Sequence, residues 1–148
     1  IKSSAASDVY KRQLEAAVQA GEFVFYGDYG AARVLMDINS LTAFGAGVSE
    51  DWASNRVVRV MDGWANDVAR IFGASYIGLM TNSDTGRQLF KADLVSLGMQ
   101  YQALDAISNF RSEDITVQQG TGKRDVSVAC ALQPNDSMEK LYMTVTVN

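Results

Sequence analysis

Met138-Glu139-Lys140-Leu141-Tyr142-Met143-Thr144-Val145-Thr146-Val147-Asn148 closes the chain and alternates from Lys140 to Val147. In a β-strand, Leu141, Met143, Val145 and Val147 fall on one face and Lys140, Tyr142, Thr144 and Thr146 on the other. Terminal residues fray unless they are tied down. A strand here therefore requires a neighbour to pair with, from the same chain or from another copy, and the second case points toward assembly.

Two further β-rich runs lie just upstream, at 115–119 and 124–132. Gly120-Thr121-Gly122 turns the first into the second, and Pro134-Asn135-Asp136, with the only proline of the chain, turns the second into a third strand at 139–147. Residues 55–72 form the clearest helix: Val57, Val60, Met61, Trp64, Val68, Ile71 and Phe72 recur every three or four positions, and Gly73 follows as a stop. A second helix is predicted over 84–105, with Asp84 as N-cap and Phe90, Leu94, Leu97, Tyr101 and Leu104 on its buried face. Gly86 and Gly98 each cost this helix about 1 kcal/mol relative to alanine, so Gly98 is read as a point of close packing. Residues 76–80 are read as a short extended link.

Farther out, residues 14–20 read as the end of a helix stopped by Gly21. Residues 22–26 and 32–38 read as a hairpin around Gly27-Asp28-Tyr29-Gly30, and 39–54 as a loop. The fold class expected is α+β, two-layer, an antiparallel β-sheet with two main helices packed on one face.

Composition narrows the function. The 148 residues hold 13 basic and 17 acidic side chains, no histidine and one cysteine. Ser3-Ser4-Ala5-Ala6-Ser7-Asp8-Val9-Tyr10-Lys11-Arg12-Gln13 matches a one-frame translation of a transposase sequencing adaptor. Residues 1–13 are therefore expected to be an adaptor-derived scar, and 14–148 the native domain of a protein that continues upstream of Leu14. Without Lys2, Lys11, Arg12 and Asp8 the domain carries 10 basic and 16 acidic residues, net −6. That balance argues against a nucleic-acid backbone binder, which needs a basic face. No apolar run approaches the ~20 residues of a membrane span, so no membrane insertion is expected. Lack of histidine removes the commonest general base and most zinc sites. Cys130 shares the apolar face of its strand with Val126, Val128 and Leu132 and is expected to be buried and inert.

Several motifs resemble chemistry without completing it. Gly120-Thr121-Gly122-Lys123-Arg124 lacks the first glycine of a phosphate-binding loop, where Val117 stands, and the Ser or Thr after the lysine. Asn82-Ser83-Asp84-Thr85-Gly86 is oxygen-rich but lacks the alternating ligands and closing glutamate of a calcium loop. Glu113-Asp114 and Asp62 with Asp67 are carboxylate pairs without a cleft, and Trp52 and Trp64 could stack a ligand. No constellation for catalysis is present, so no enzyme, cofactor or metal is expected.

The chain from about Leu14 to Asn148 resembles the C-terminal domain of contractile phage tail sheath proteins, closest in character to those of myophages and tail-like particles of Gram-positive hosts. Arg56-Val57-Val58-Arg59-Val60-Met61-Asp62 with Ala65-Asn66-Asp67, Gly86-Arg87-Gln88-Leu89-Phe90-Lys91, and Ala106-Ile107-Ser108-Asn109-Phe110 carry the likeness. Gln133-Pro134-Asn135-Asp136-Ser137-Met138-Glu139-Lys140-Leu141-Tyr142-Met143-Thr144-Val145 carries it most specifically. The resemblance implies a structural subunit that polymerises around an inner tube and contracts to drive that tube through a cell envelope. It implies sheath subunits, the inner tail tube protein, and baseplate and tail terminator proteins as partners, and a virion tail assembled in the host bacterial cytoplasm. It also implies arms that add strands to a neighbour's sheet, which makes Leu141, Tyr142, Met143, Thr144, Val145, Thr146 and Val147 the expected subunit interface. Arg87 and Lys91, on a helix expected to face the tube, are the expected tube contact. Two readings stay beside it: a generic α+β protein-binding module, and a small-ligand or nucleotide-binding enzyme domain.

Overall fold

The computed structural model describes residues 2–147, with side chains from residue 9 onward. Ile1, the first residue of the expected scar, and Asn148, which follows the expected strand, lie outside the described residues. The fold is mixed α+β, with three helices and two small antiparallel sheets among the described residues. The chain divides into two units, one of residues 1–58 with 136–148 and one of residues 59–135.

In the first unit, helix α1 spans Lys2–Gln19 and takes in residues on both sides of position 13. It ends at the glycine anticipated: Glu22 N–H donates to Ala17 O and Gly21 N–H to Val18 O, with Gly21 at φ +76°. This pair of bonds is a Schellman stop. Strands β1 (Phe25–Asp28) and β2 (Ala31–Val34) form the hairpin, shifted toward the turn relative to the pattern. Only Tyr29 and Gly30 make the turn, both at positive φ, so the strands continue into residues read as loop. Loop residues 39–54 are tied at their base by the Ile38–Ser54 bridge and end in a 3-10 turn, Glu50–Ala53.

Helix α2 spans Asn55–Ser75 and α3 spans Asp84–Ala103. Gly73 does not stop α2, because the ladder runs on until Tyr76 and Ile77 N–H both donate to Phe72 O. Residues 76–80 are then a turn, not the extended link expected. The N-cap of α3 is Ser83, whose Oγ accepts from Gly86 N–H at 3.2 Å, and Asp84 is the first helical residue. Leu104, expected on the buried face, is the exposed C-cap.

Strands β3 (Ile115–Gln119) and β4 (Val126–Cys130) pair antiparallel with Ile115 opposite Cys130 and Gln119 opposite Val126. The core of the second unit lies between this hairpin and the two long helices: Trp64, Phe90, Leu94, Leu97 and Ile115 are buried, with Val117, Val126 and Val128 packed against them. Phe110 lies across Gly98, where a Cβ would sit 2.2 Å from its ring, so this glycine marks close packing as its position suggested.

The expected third strand is absent among the described residues. Residues 139–147 carry no strand, and the sheet expected as a three-stranded meander has two strands. A strand needs a hydrogen-bonding neighbour, and among the described residues this chain supplies none to the segment.

Candidate functional site

Two features with unmet pairing capacity stand out, one in each unit. In the second unit, β3 and β4 each have one hydrogen-bonded neighbour, so each has one edge to which no strand of the described residues is added. The hairpin is held firmly. Its turn is closed by Gly120 N–H to Asp125 O (2.9 Å) and by Gly122 N–H to the Asp125 carboxylate (2.9 Å). Asn82 clamps the same turn from outside, donating to Lys123 O (3.1 Å) and Asp125 O (2.8 Å). At the other end, Ala131 N–H donates to Asp114 O and Ser108 N–H to Gln133 O, extending the pairing past the strands. Asn135 fastens the exit, its Nδ2 donating to Asp105 O (3.1 Å) and Oδ1 (2.9 Å).

In the first unit, residues 136–139 are anchored and residues 140–147 are open. Asp136 Oδ1 accepts from the buried Ser54 hydroxyl (3.0 Å) and from Ser137 N–H (2.8 Å). Glu139 Oε1 accepts from Asp37 N–H at 3.3 Å. Beyond it, Leu141, Met143, Val145 and Val147 are between 74% and 92% exposed, and Tyr142 is exposed as well. Thr144 and Thr146 are exposed too. Four apolar side chains are thus exposed within one segment that carries no strand pairing among the described residues. The anchors, Asp136 and Glu139, escape a reading by pattern because their partners, Ser54 and Asp37, lie 82 and 102 positions away in sequence.

The motifs resolve into structure. The amide of Gly122, which a phosphate-binding loop would turn toward its anion, is taken by the Asp125 carboxylate. Asn82-Ser83-Asp84 is the cap of α3, with Asp84 paired to Arg87. Glu113 and Asp114 lie in a 3-10 turn, Ser112–Asp114, where Asp114 accepts from Arg111 N–H at 2.7 Å. Trp64 belongs to the core and Trp52 is exposed. Among the described residues no group of three or more His, Cys, Asp or Glu is placed to hold a metal ion. No described helix is long and apolar enough to cross a membrane.

Cys130 corrects an expectation. It lies on the predicted face, opposite buried Ile115, yet the residue is exposed because it ends the strand. Partial burial still pushes its thiol up, against a smaller opposing contact with Trp64, so the sulfur is protonated near neutrality although reachable.

Arg87 and Lys91 occupy successive turns of α3. The Arg87 side chain is only 13% exposed. Its guanidinium donates to Asn82 O (3.0 Å), Asn82 Oδ1 (2.9 Å) and the Asp84 carboxylate, so its charge is largely committed to the first turn of its own helix. Lys91 is half-buried and makes no such set of bonds; its charge contributes, after a backbone hydrogen bond, Ser112 and the Arg111 charge, to holding the Glu113 carboxyl below its usual range.

Residues 48–148 match the family model described as the phage tail sheath C-terminal domain. The chain is 34% identical over 137 residues to the XkdK protein of the phage-like element PBSX of Bacillus subtilis, a match covering 86% of this chain and 29% of that protein. It is 41% identical to a sheath tail protein of Desulfitobacterium hafniense solved by crystallography, with a TM-score of 0.77 over 89% of this chain and 31% of that one. A sheath tail protein of Listeria innocua matches at 31% identity and a TM-score of 0.72, covering 89% of this chain and 32% of its own. The chain thus spans about three tenths of the length of the relatives it matches.

Proposed function

From the premise that the chain belongs to the phage tail sheath family, residues 48–148 forming its C-terminal domain, we propose that it is a structural subunit of a contractile tail sheath. Copies polymerise around an inner tube by strand exchange. The 141–147 segment of one copy adds as a strand to an open edge of the β3–β4 sheet of another. The observation that carries this reading is the alternating, exposed, unpaired segment beyond the Asp136 and Glu139 anchors. Contraction then drives the tube through a cell envelope, with the sheath assembled in the host cytoplasm and bounded by baseplate and terminator proteins.

The energetics suit such a link. A seven-residue strand makes about five backbone hydrogen bonds worth roughly 0.5–1.5 kcal/mol net each. Burying four apolar side chains adds at most about 1.5–3 kcal/mol each. Anchoring at Asp136 and Glu139 ties the strand to its own unit immediately before it leaves for the neighbouring copy. On the tube side, Lys91 carries the contact with an acidic tube surface, and Arg87 holds the helix end that presents it.

Negative-stain electron microscopy of the longer native protein tests the reading. Hollow, cross-striated cylinders are expected, and they should vanish on removal of residues 141–148 while the protein stays folded. Globular particles at every salt and protein concentration tried would contradict it.

A further inference from the structure

The second unit carries a groove of about 440 Å³ that the strand-exchange account leaves unused. Its floor is aromatic: Phe72 stacks on Tyr76 and Phe90 packs tilted against both, with ring centroids 4.7–6.2 Å apart. Its lip is apolar and open, with Ile77 63% and Met80 43% exposed. Lys123 and Arg124, both exposed, stand on its rim, fixed there by the Asn82 clamp on the turn backbone. An apolar cleft with a cationic rim selects a partner segment that carries an aromatic side chain next to carboxylates.

This chain carries one such segment elsewhere, in its first unit. Glu50, Asp51 and Trp52 are consecutive on the 3-10 turn, with Trp52 at 40% exposure. The turn is rigid: Asn39 donates through Nδ2 to Trp52 O (2.7 Å) and through N–H to Ala53 O (2.8 Å), and Ser49 Oγ donates to Asp51 (3.0 Å). A tryptophan presented on a fixed backbone is the kind of residue that anchors interfaces at low entropic cost.

We propose that the Glu50-Asp51-Trp52 turn of one copy docks in the groove of a second copy, with the indole over Phe72, Tyr76 and Phe90 and the two carboxylates against Lys123 and Arg124. The inference rests on the sheath reading only in taking a second copy as the partner. Knob and groove are different surfaces, so the contact is heterologous and propagates from copy to copy instead of closing into a dimer.

The test is a charge swap read by sedimentation of the full chain, with circular dichroism melts to confirm folding. Lys123→Glu/Arg124→Glu and Glu50→Lys/Asp51→Lys should each weaken self-association by at least about tenfold. Mixing the two variants should restore it, since reversed knob then meets reversed groove. Association should also shift tryptophan emission to the blue, and Trp52→Ala should remove the shift because Trp64 is already buried. Undiminished association of either charge variant, failure of the mixture, or competition by a peptide of residues 138–148 for the groove would overturn the proposal. Cylinders formed by the longer protein carrying Lys123→Glu/Arg124→Glu would remove the groove contact alone and leave the sheath reading standing. Absence of cylinders from the unaltered protein, with charge-swap rescue intact, would do the reverse.

Discussion

Gly98 leaves the room that the Phe110 ring fills in the second unit. A Cβ at position 98 would lie 2.2–2.6 Å from three atoms of the Phe110 ring, which itself leans on Trp64 at 6.5 Å between centroids. Gly98→Ala should therefore destabilise by about 1–3 kcal/mol despite alanine's better helix propensity, seen as a lower denaturation midpoint in urea. Gly73 is the opposite case: it lies within α2 with nothing within 4 Å of a Cβ, so Gly73→Ala should stabilise by about 0.5–1 kcal/mol in the same assay. Tyr101 donates to Asp67 at 2.8 Å, and burial followed by that bond pushes its phenol up to about 12 from 10.0. The unfolded chain releases this proton first, so the stabilisation is whole below pH 10.0 and is lost as pH rises through about 12. Between those values the melting temperature of Tyr101→Phe should fall less steeply than that of the unaltered protein, the remaining slope belonging in part to Tyr76, also at about 12.

At the scale of the element, the first turn of α3 and the β3–β4 turn are one device. Asn82 joins them by accepting from Arg87 and donating to Lys123 O and Asp125 O. Asn82→Ala removes three bonds at once and should cost about 1–2 kcal/mol, with faster hydrogen exchange in residues 120–125 as its signature. Such a node is invisible to pattern, because its partners lie 41 and 43 positions away. The helices and the β3–β4 hairpin are legible in the sequence, since each is set by local periodicity and local turn chemistry: the α2 stripe buries Val57 and Trp64, the α3 stripe Phe90, Leu94 and Leu97. Their ends are not, because Gly73 is tolerated where the ladder continues and Tyr29-Gly30 alone makes the β1–β2 turn. The 139–147 alternation marks an amphipathic segment, but not a strand of this chain's own sheet. Periodicity says which side chains share a face; it does not say whose backbone lies alongside. Burial of Cys130 fails for a similar reason, the face being right and the strand end being open.

For the molecule as a whole, the described residues hold two short sheets with open edges and an exposed apolar segment, and the strand exchange proposed above would complete their pairing between copies. An edge strand of this kind is a hazard unless a partner covers it, which an assembly supplies. Val145→Pro removes one ladder donor from the middle of the segment. It should abolish assembly while changing the stability of the isolated chain by no more than about 0.5 kcal/mol, because the residue is exposed there. The most direct test of strand exchange is hydrogen exchange by mass spectrometry on the full chain across a range of concentrations. Residues 141–147 and the strands 115–119 and 126–130 should gain protection together as copies associate, and Val145→Pro should erase both gains. Association that protects the strands while residues 141–147 go on exchanging freely would contradict the account.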